Sequence, residues 1–304
     1  MRTLEIGGHV ISDDAPCYVI AELGANHGGD IAVVRQLIEA AANAGADAVK
    51  LQKRHNQTLY TRALYDAPYA HEHSYGATYG AHREALEFGR GHYFACQDLA
   101  RGYNVAFFST AFDETSVDVL MGVDVPALKL ASGALTDHTL IRYAASFGRP
   151  LILSTGGGTE DDIAAAVRVV GCRAPLALLH CTASYPLKAA EANLRCIPRL
   201  RALYPDLVIG WSSHAPGIAL SLVAYALGAR IIEHHVTLDR AGKGTDHGFS
   251  LEPKGLRTLC EDLGQARAAL GDGVKRWYES ERGPIAKMRR QMTPEGLRIT
   301  GRLA

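Results

Sequence analysis

Gly210-Trp211-Ser212-Ser213-His214 and Ile231-Ile232-Glu233-His234-His235-Val236 are two short apolar runs, each ending abruptly in polar residues. A helix-length segment closed by Gly228 separates them. Read as successive parallel strands, they bring His214 and His235 to the same end of a sheet or barrel. A divalent metal needs that convergence: neutral imidazoles with open positions left for a substrate oxygen. Downstream, Gly244-Thr245-Asp246-His247 adds a carboxylate and a further imidazole. A single histidine at a strand end often only satisfies hydrogen bonds. Here other strands end in the same polar way, which favours a site.

The same rhythm runs outward through the chain. Apolar runs at Cys17–Ala21, Ala48–Leu51, Val105–Phe108, Ala127–Ala131, Leu151–Leu153 and Leu176–Leu179 precede the histidine strands Leu207–Trp211 and Arg230–His235. Helical patterns lie between them. The clearest has Asp30 as a cap, Ile31, Val34, Leu37, Ile38 and Ala41 on one face, and Gly45 at its end. Thr159 with Asp162 resembles a capping box, although Glu or Gln is the usual partner. Eight strand–helix units predict an α/β fold, a (β/α)8 TIM barrel, with its active site at the C-terminal ends of the strands. A doubly wound sheet is the alternative, but no Gly-x-Gly-x-x-Gly turn follows the first strand. Residues 4–16 read as an N-terminal β-hairpin around Gly7-Gly8 that would plug the bottom of the barrel. Residues 53–93, rich in histidine and tyrosine, are too long for an ordinary loop and read as a substrate lid or a subunit contact. The barrel domain is placed at 1–283 and a short C-terminal tail at 284–304.

Composition removes several classes. With 32 basic and 32 acidic residues in 304, and no basic run with interleaved aromatics, nucleic acid is excluded as a partner. The longest apolar stretches are too short to span a bilayer. The first residues lack the apolar core of a secretory signal. None of the six cysteines forms a C-x-x-C pair, which points away from a zinc ribbon and toward reduced thiols in the cytoplasm.

With these strand ends in hand, the chain resembles the sialic acid synthase family from about Ile20 to Pro253. The motifs are Ala21-Glu22-Leu23-Gly24-Ala25-Asn26-His27-Gly28-Gly29, Gly45 through Gln52, Ser109-Thr110-Ala111-Phe112-Asp113, and Lys129-Leu130-Ala131-Ser132-Gly133. Leu153-Ser154-Thr155-Gly156, His180-Cys181-Thr182-Ala183-Ser184-Tyr185-Pro186 and the histidine strands complete the set. The resemblance implies condensation of phosphoenolpyruvate with an aldose such as N-acetylmannosamine, giving a 3-deoxy-2-keto sugar acid and phosphate. It also implies a divalent cofactor, Mn2+ first and Mg2+ or Co2+ next, and a homodimer or higher homo-oligomer.

The residues themselves suit that chemistry. Lys50 and Lys129 interrupt apolar strands, and a buried lysine needs an anion to offset its desolvation. Thr110, Ser132, Ser154 and Ser213 add hydroxyl donors for a phosphate or carboxylate. Glu22 and Asp246 are candidates for orienting water and transferring protons, with Lys129 in the same catalytic group. Gln52 and Tyr185 match family positions that contact the sugar. Three departures mark the acceptor end. Ala134 stands where the family has an acid, with Asp137 and His138 shortly after. Ala183 stands where an asparagine can occur. The sequence also stops about where the family's C-terminal antifreeze-like domain would begin. Altered sugar selectivity is therefore expected. Two other readings stand beside this one: a Schiff-base aldolase using Lys129, and a non-catalytic sugar-acid binding module.

Overall fold

Eight parallel strands close into a barrel in the computed structural model, which describes residues 2–302. A two-stranded antiparallel hairpin, β1 (Thr3–Ile6) and β2 (His9–Ser12), comes first. The barrel strands are β3 (Tyr18–Glu22), β4 (Ala48–Lys53), β5 (Ala106–Ala111), β6 (Leu128–Leu130), β7 (Leu151–Ser154), β8 (Leu176–Cys181), β9 (Val208–Ser213) and β10 (Ile231–His235). They pair in chain order, and β10 closes the ring against β3 with His235 opposite Glu22. The runs read as nearly continuous apolar sequence because helices cover one face and barrel-core side chains the other. All eight expected strands are present.

Eight helices follow the strands: α1 (Ile31–Ala44), α2 (Arg90–Gly102), α3 (Glu114–Val123), α4 (His138–Ser146), α5 (Glu160–Val170), α6 (Cys196–Leu203), α7 (Ala219–Ala226) and α8 (Pro253–Leu270). Their ends follow local chemistry. The Asp30 side chain accepts from the Ala32 amide, and Gly45 ends α1 with φ 93°, a left-handed conformation that costs glycine little. Val34, Leu37, Ile38 and Ala41 are buried at helical spacing. Thr159 and Asp162 do form a reciprocal capping box on α5, so aspartate serves where glutamate is usual.

The N-terminal hairpin buries Leu4, Ile6 and Ile11. A Cβ on Gly7 would lie 3.3 Å from that of Ala106, at the N-terminal end of β5. The hairpin therefore sits against the bottom of the barrel, opposite the strand ends that carry the polar residues.

Two compact units divide the chain, Met1–Arg267 and Ala268–Ala304. The sequence places this boundary at 283; periodicity weakens gradually after α8 and gives no sharper signal. The second unit holds a short helix, Arg282–Met288, and the antiparallel hairpin β11 (Arg290–Thr293) and β12 (Gly296–Ile299). Among the described residues no helix is long and apolar enough to cross a membrane. All six cysteines are free thiols.

Candidate active site

Strand alternation decides which side chains enter the barrel mouth. On β10, Glu233 and His235 line the cavity, whereas the buried His234 turns away, its Nε2 3.2 Å from the Gly217 carbonyl oxygen. On β4, Lys50 and Gln52 share the inner face, and Arg54 continues it beyond the strand end. The resulting cavity has a volume of about 530 Å³. Glu22, Thr110, Lys129, Ser132, Ser154 and Tyr185 line it with them. So do His214, His235 and Asp246. The structure therefore gathers nearly every residue singled out in the sequence.

Ser213 is the exception. It does not line the cavity; its Oγ accepts from the Ala215 amide at 3.3 Å. Ser212 takes the inward place, because the inward set on β9 falls one residue earlier than the strand-end reading assumed. The structure also bears on one of the three departures, at Ala134. Asp137 is the N-cap of α4, accepting from the Leu140 amide at 3.0 Å, so it does not replace the acid missing at Ala134.

The floor of the cavity is a charge cluster. Lys50 Nζ contacts the Glu22 carboxylate and donates to Thr110 Oγ1 at 2.7 Å. Lys129 Nζ donates to Ser154 Oγ at 2.6 Å and to the Leu130 carbonyl at 3.1 Å. Glu233 lies between the two lysines, 3.9 Å from each ammonium, and accepts from Ser212 Oγ at 2.9 Å. Burial opposes its ionisation, but the Lys129 and Lys50 ammonium groups prevail and hold the carboxyl at about 2. Burial lowers Lys50 to about 7. Glu233 is a cavity residue that sequence reasoning missed. It lies two positions before His235 on one strand, and the period of two was the available signal.

Toward the rim, His214 and His235 face each other with ring centroids 5.5 Å apart. His214 Nδ1 sits 3.0 Å from the Thr182 carbonyl oxygen, which assigns its proton to Nδ1 and leaves Nε2 as a lone-pair donor. Tyr185 lies against the same ring, centroids 4.0 Å apart. His235 Nδ1 is buried, has no hydrogen-bond partner and lies 3.6 Å from Asp246 Oδ2. Burial holds His235 near 3 and lowers His214, so both imidazoles are neutral near pH 7. Two neutral imidazoles, one with an orphaned nitrogen beside a carboxylate, fit a divalent ion. Among the described residues no three His, Cys, Asp or Glu side chains are drawn together tightly enough to hold one alone. The remaining positions would fall to water or substrate oxygens. Gly24, at φ 54°, is required here: a Cβ on it would lie 3.2 Å from His235 Nδ1 and 3.4 Å from both Glu22 and Asp246.

The 53–93 segment covers one side of the mouth. It brings Tyr69, Tyr75, His82 and Arg83 to the cavity, while Tyr79 packs behind them against Tyr60 and Tyr69. Tyr75 O–H donates to the Lys243 carbonyl, and the Gly244 amide donates to His73 Nδ1 at 3.2 Å. The segment is thus clasped to the loop that carries Asp246.

These buried imidazoles fix an acid response. His27 is held near 4 and His235 near 3, both by burial, and burial lowers His180, His214 and His234 as well. Their folded values lie below that of the unfolded chain. As pH falls below about 6.5 the unfolded chain takes up protons that the folded one refuses, so stability falls. His27 and His235 should each remove up to about 1.4 kcal/mol per pH unit. Urea unfolding at about pH 7 and pH 5.5 measures this, above the range in which carboxylates titrate. An unchanged midpoint would contradict the buried neutral state.

Comparison with known proteins gives a consistent relationship. The model of the NeuB family matches residues 37–275. The chain is 38% identical over 275 residues to N-acetylneuraminate-9-phosphate synthase of Mus musculus, covering 90% of this chain and 77% of that protein. It is 36% identical over 290 residues to N,N'-diacetyllegionaminic acid synthase of Campylobacter jejuni, covering 90% and 83%. The crystal structure of N-acetylneuraminic acid synthetase from Leptospira borgpetersenii, in complex with citrate, superposes with a TM-score of 0.82 at 33% identity, covering 93% of this chain and 95% of that one.

Proposed function

The chain belongs to the NeuB family, and from that premise we propose that it condenses phosphoenolpyruvate with an aldose to give a sialic-acid-like 3-deoxy-2-keto acid and inorganic phosphate. The observation that carries this reading is the pair of buried ammonium groups on the floor of one cavity, beneath two neutral imidazoles. Glu233 is beyond hydrogen-bond reach of both lysines, so each keeps donor capacity for a substrate anion. The related proteins are named as synthases of acids of this kind.

Lys50 and Lys129 hold the phosphate and carboxylate of phosphoenolpyruvate, with Thr110, Ser132 and Ser154 as hydroxyl partners. C3 of the enol bonds to the aldehyde carbon, and the aldehyde oxygen takes a proton. Water adds at C2, and the C–O bond to phosphate then breaks. Glu22 and Asp246 face this space and orient the water or exchange the proton. Gln52, which donates to Glu22 at 3.3 Å, and Tyr185 border the acceptor. A divalent ion held by His214 and His235, with Mn2+ as the first choice, would polarise the aldehyde carbonyl as a Lewis acid.

Phosphate release from phosphoenolpyruvate, measured over a panel of aldoses with and without Mn2+, tests this. Release that needs both an aldose and the metal is expected. Metal-independent turnover trapped by borohydride would instead favour the Schiff base on Lys129.

A further inference from the structure

Arg54 has no part in the chemistry above, yet its surroundings hold it in one pose. Its backbone amide donates to Glu87 Oε2 at 2.9 Å, and its carbonyl accepts from Lys53 Nζ at 2.9 Å. Lys53 and Glu87 are themselves paired at 3.2 Å. The guanidinium lies over the Phe112 ring, 3.7 Å from the centroid, in a cation–π contact. Among the described residues it forms no ion pair with a carboxylate. Burial lowers its pKa, and Arg83 on the same cavity wall adds to this, but an arginine stays charged near pH 7. One terminal nitrogen donates to Gln52 Oε1 at 2.6 Å. A fixed positive charge is thus aimed at an uncharged amide.

That contact decides which way the Gln52 amide points. A guanidinium carries donors only, so the atom facing it is the oxygen. A carboxylate in contact with the Lys50 ammonium accepts only, so the atom facing Glu22 is the nitrogen, which donates to Glu22 Oε1 at 3.3 Å. Both neighbours demand the same orientation; the reverse one would set donor against donor and acceptor against acceptor. The second N–H of Gln52 has no protein partner among the described residues, and Gln52 lines the cavity. We propose that Arg54 is a positioning residue: it locks the Gln52 amide with its oxygen toward the guanidinium and its two donors toward Glu22 and the acceptor. A charge-assisted bond at Oε1 also polarises the amide and strengthens those donors. Glu22 is thereby held from two sides, by Lys50 and by Gln52. The sugar group opposite Gln52 must in turn offer a lone pair. This inference rests on the reading of the cavity as a condensing site.

The test is a double-mutant cycle in the phosphate-release assay, with each variant shown to be folded by its melting curve. Arg54→Met should lower kcat about tenfold, the scale of one charge-assisted hydrogen bond, and leave phosphoenolpyruvate affinity, measured by calorimetry, within about twofold. Arg54→Lys, which can still donate to Oε1, should recover part of the loss. In a Gln52→Ala background the same Arg54→Met change should alter kcat by less than about twofold, because the group it acts through is gone. An undiminished loss in that background would overturn the proposal, since Arg54 would then act without Gln52. So would a fall in melting temperature with kcat unchanged. The side-chain amide protons of Gln52, identified in NMR spectra by their disappearance in Gln52→Ala, give a reading that needs no turnover. They should exchange slowly in the parent and fast in Arg54→Met. If no aldose supports phosphate release but these protons lose protection in Arg54→Met, the condensation reading falls and the locked amide stands. Equal exchange in the two proteins overturns the lock.

Discussion

His235→Ala should abolish turnover and divalent-ion binding together while leaving the barrel folded. The ring closes the space between His214, Asp246 and Phe249, and its Nδ1 has no hydrogen-bond partner to lose. Removing it leaves one imidazole where a divalent ion needs at least two protein donors besides water. Lewis-acid polarisation supplies several kcal/mol to a reaction of this kind, and losing about 4 kcal/mol corresponds to roughly a thousandfold in rate. Titration calorimetry with Mn2+, melting curves and phosphate release read the three consequences separately. A variant that binds no ion yet turns over at the parent rate after chelation would sink the metal assignment.

The second large effect is structural. Glu233→Gln keeps the size of the side chain and its partner Ser212 but removes the carboxylate placed between two buried ammonium groups. Breaking a buried ionic cluster at one member costs about 3–5 kcal/mol where a charge is left buried without compensation, and here Lys129 loses its carboxylate neighbour while Lys50 keeps Glu22. The free protein should unfold at markedly lower urea concentration. Saturating phosphoenolpyruvate should restore more stability to the variant than to the parent, since its anionic groups replace the lost charge. Equal stabilisation of both proteins by the ligand would place phosphoenolpyruvate away from the lysines.

Much of this arrangement is legible in the chain because a parallel barrel is locally encoded. Each strand is an apolar run ended by polar residues, and each helix carries its own cap, as Asp30 and Thr159 show. The fold and its active end follow from those units. Side-chain facing is harder. Whether Ser212 or Ser213 enters the barrel turns on a shift of one residue, and strand ends are not fixed that finely by pattern. Glu233 was hidden by its apolar neighbours and by the two histidines after it. Arg54 and Arg83 were illegible for another reason. They are 29 positions apart in the numbering, and only the packing of the 53–93 segment, which has no dominant period, brings them to one wall.

The clasp between Tyr75, His73 and the Lys243–Gly244 backbone has a mechanical consequence. Tyr75 belongs to the cover of the cavity, while residue 244 lies two positions before Asp246. The cover and the acid are thus two ends of one lever. Any outward displacement of the cover would have to break these two bonds, which tether the loop that holds Asp246 beside His235. For the proposed condensation, two side-chain-to-backbone hydrogen bonds thus join the cover that would shield an enol phosphate from bulk water to the loop that carries Asp246.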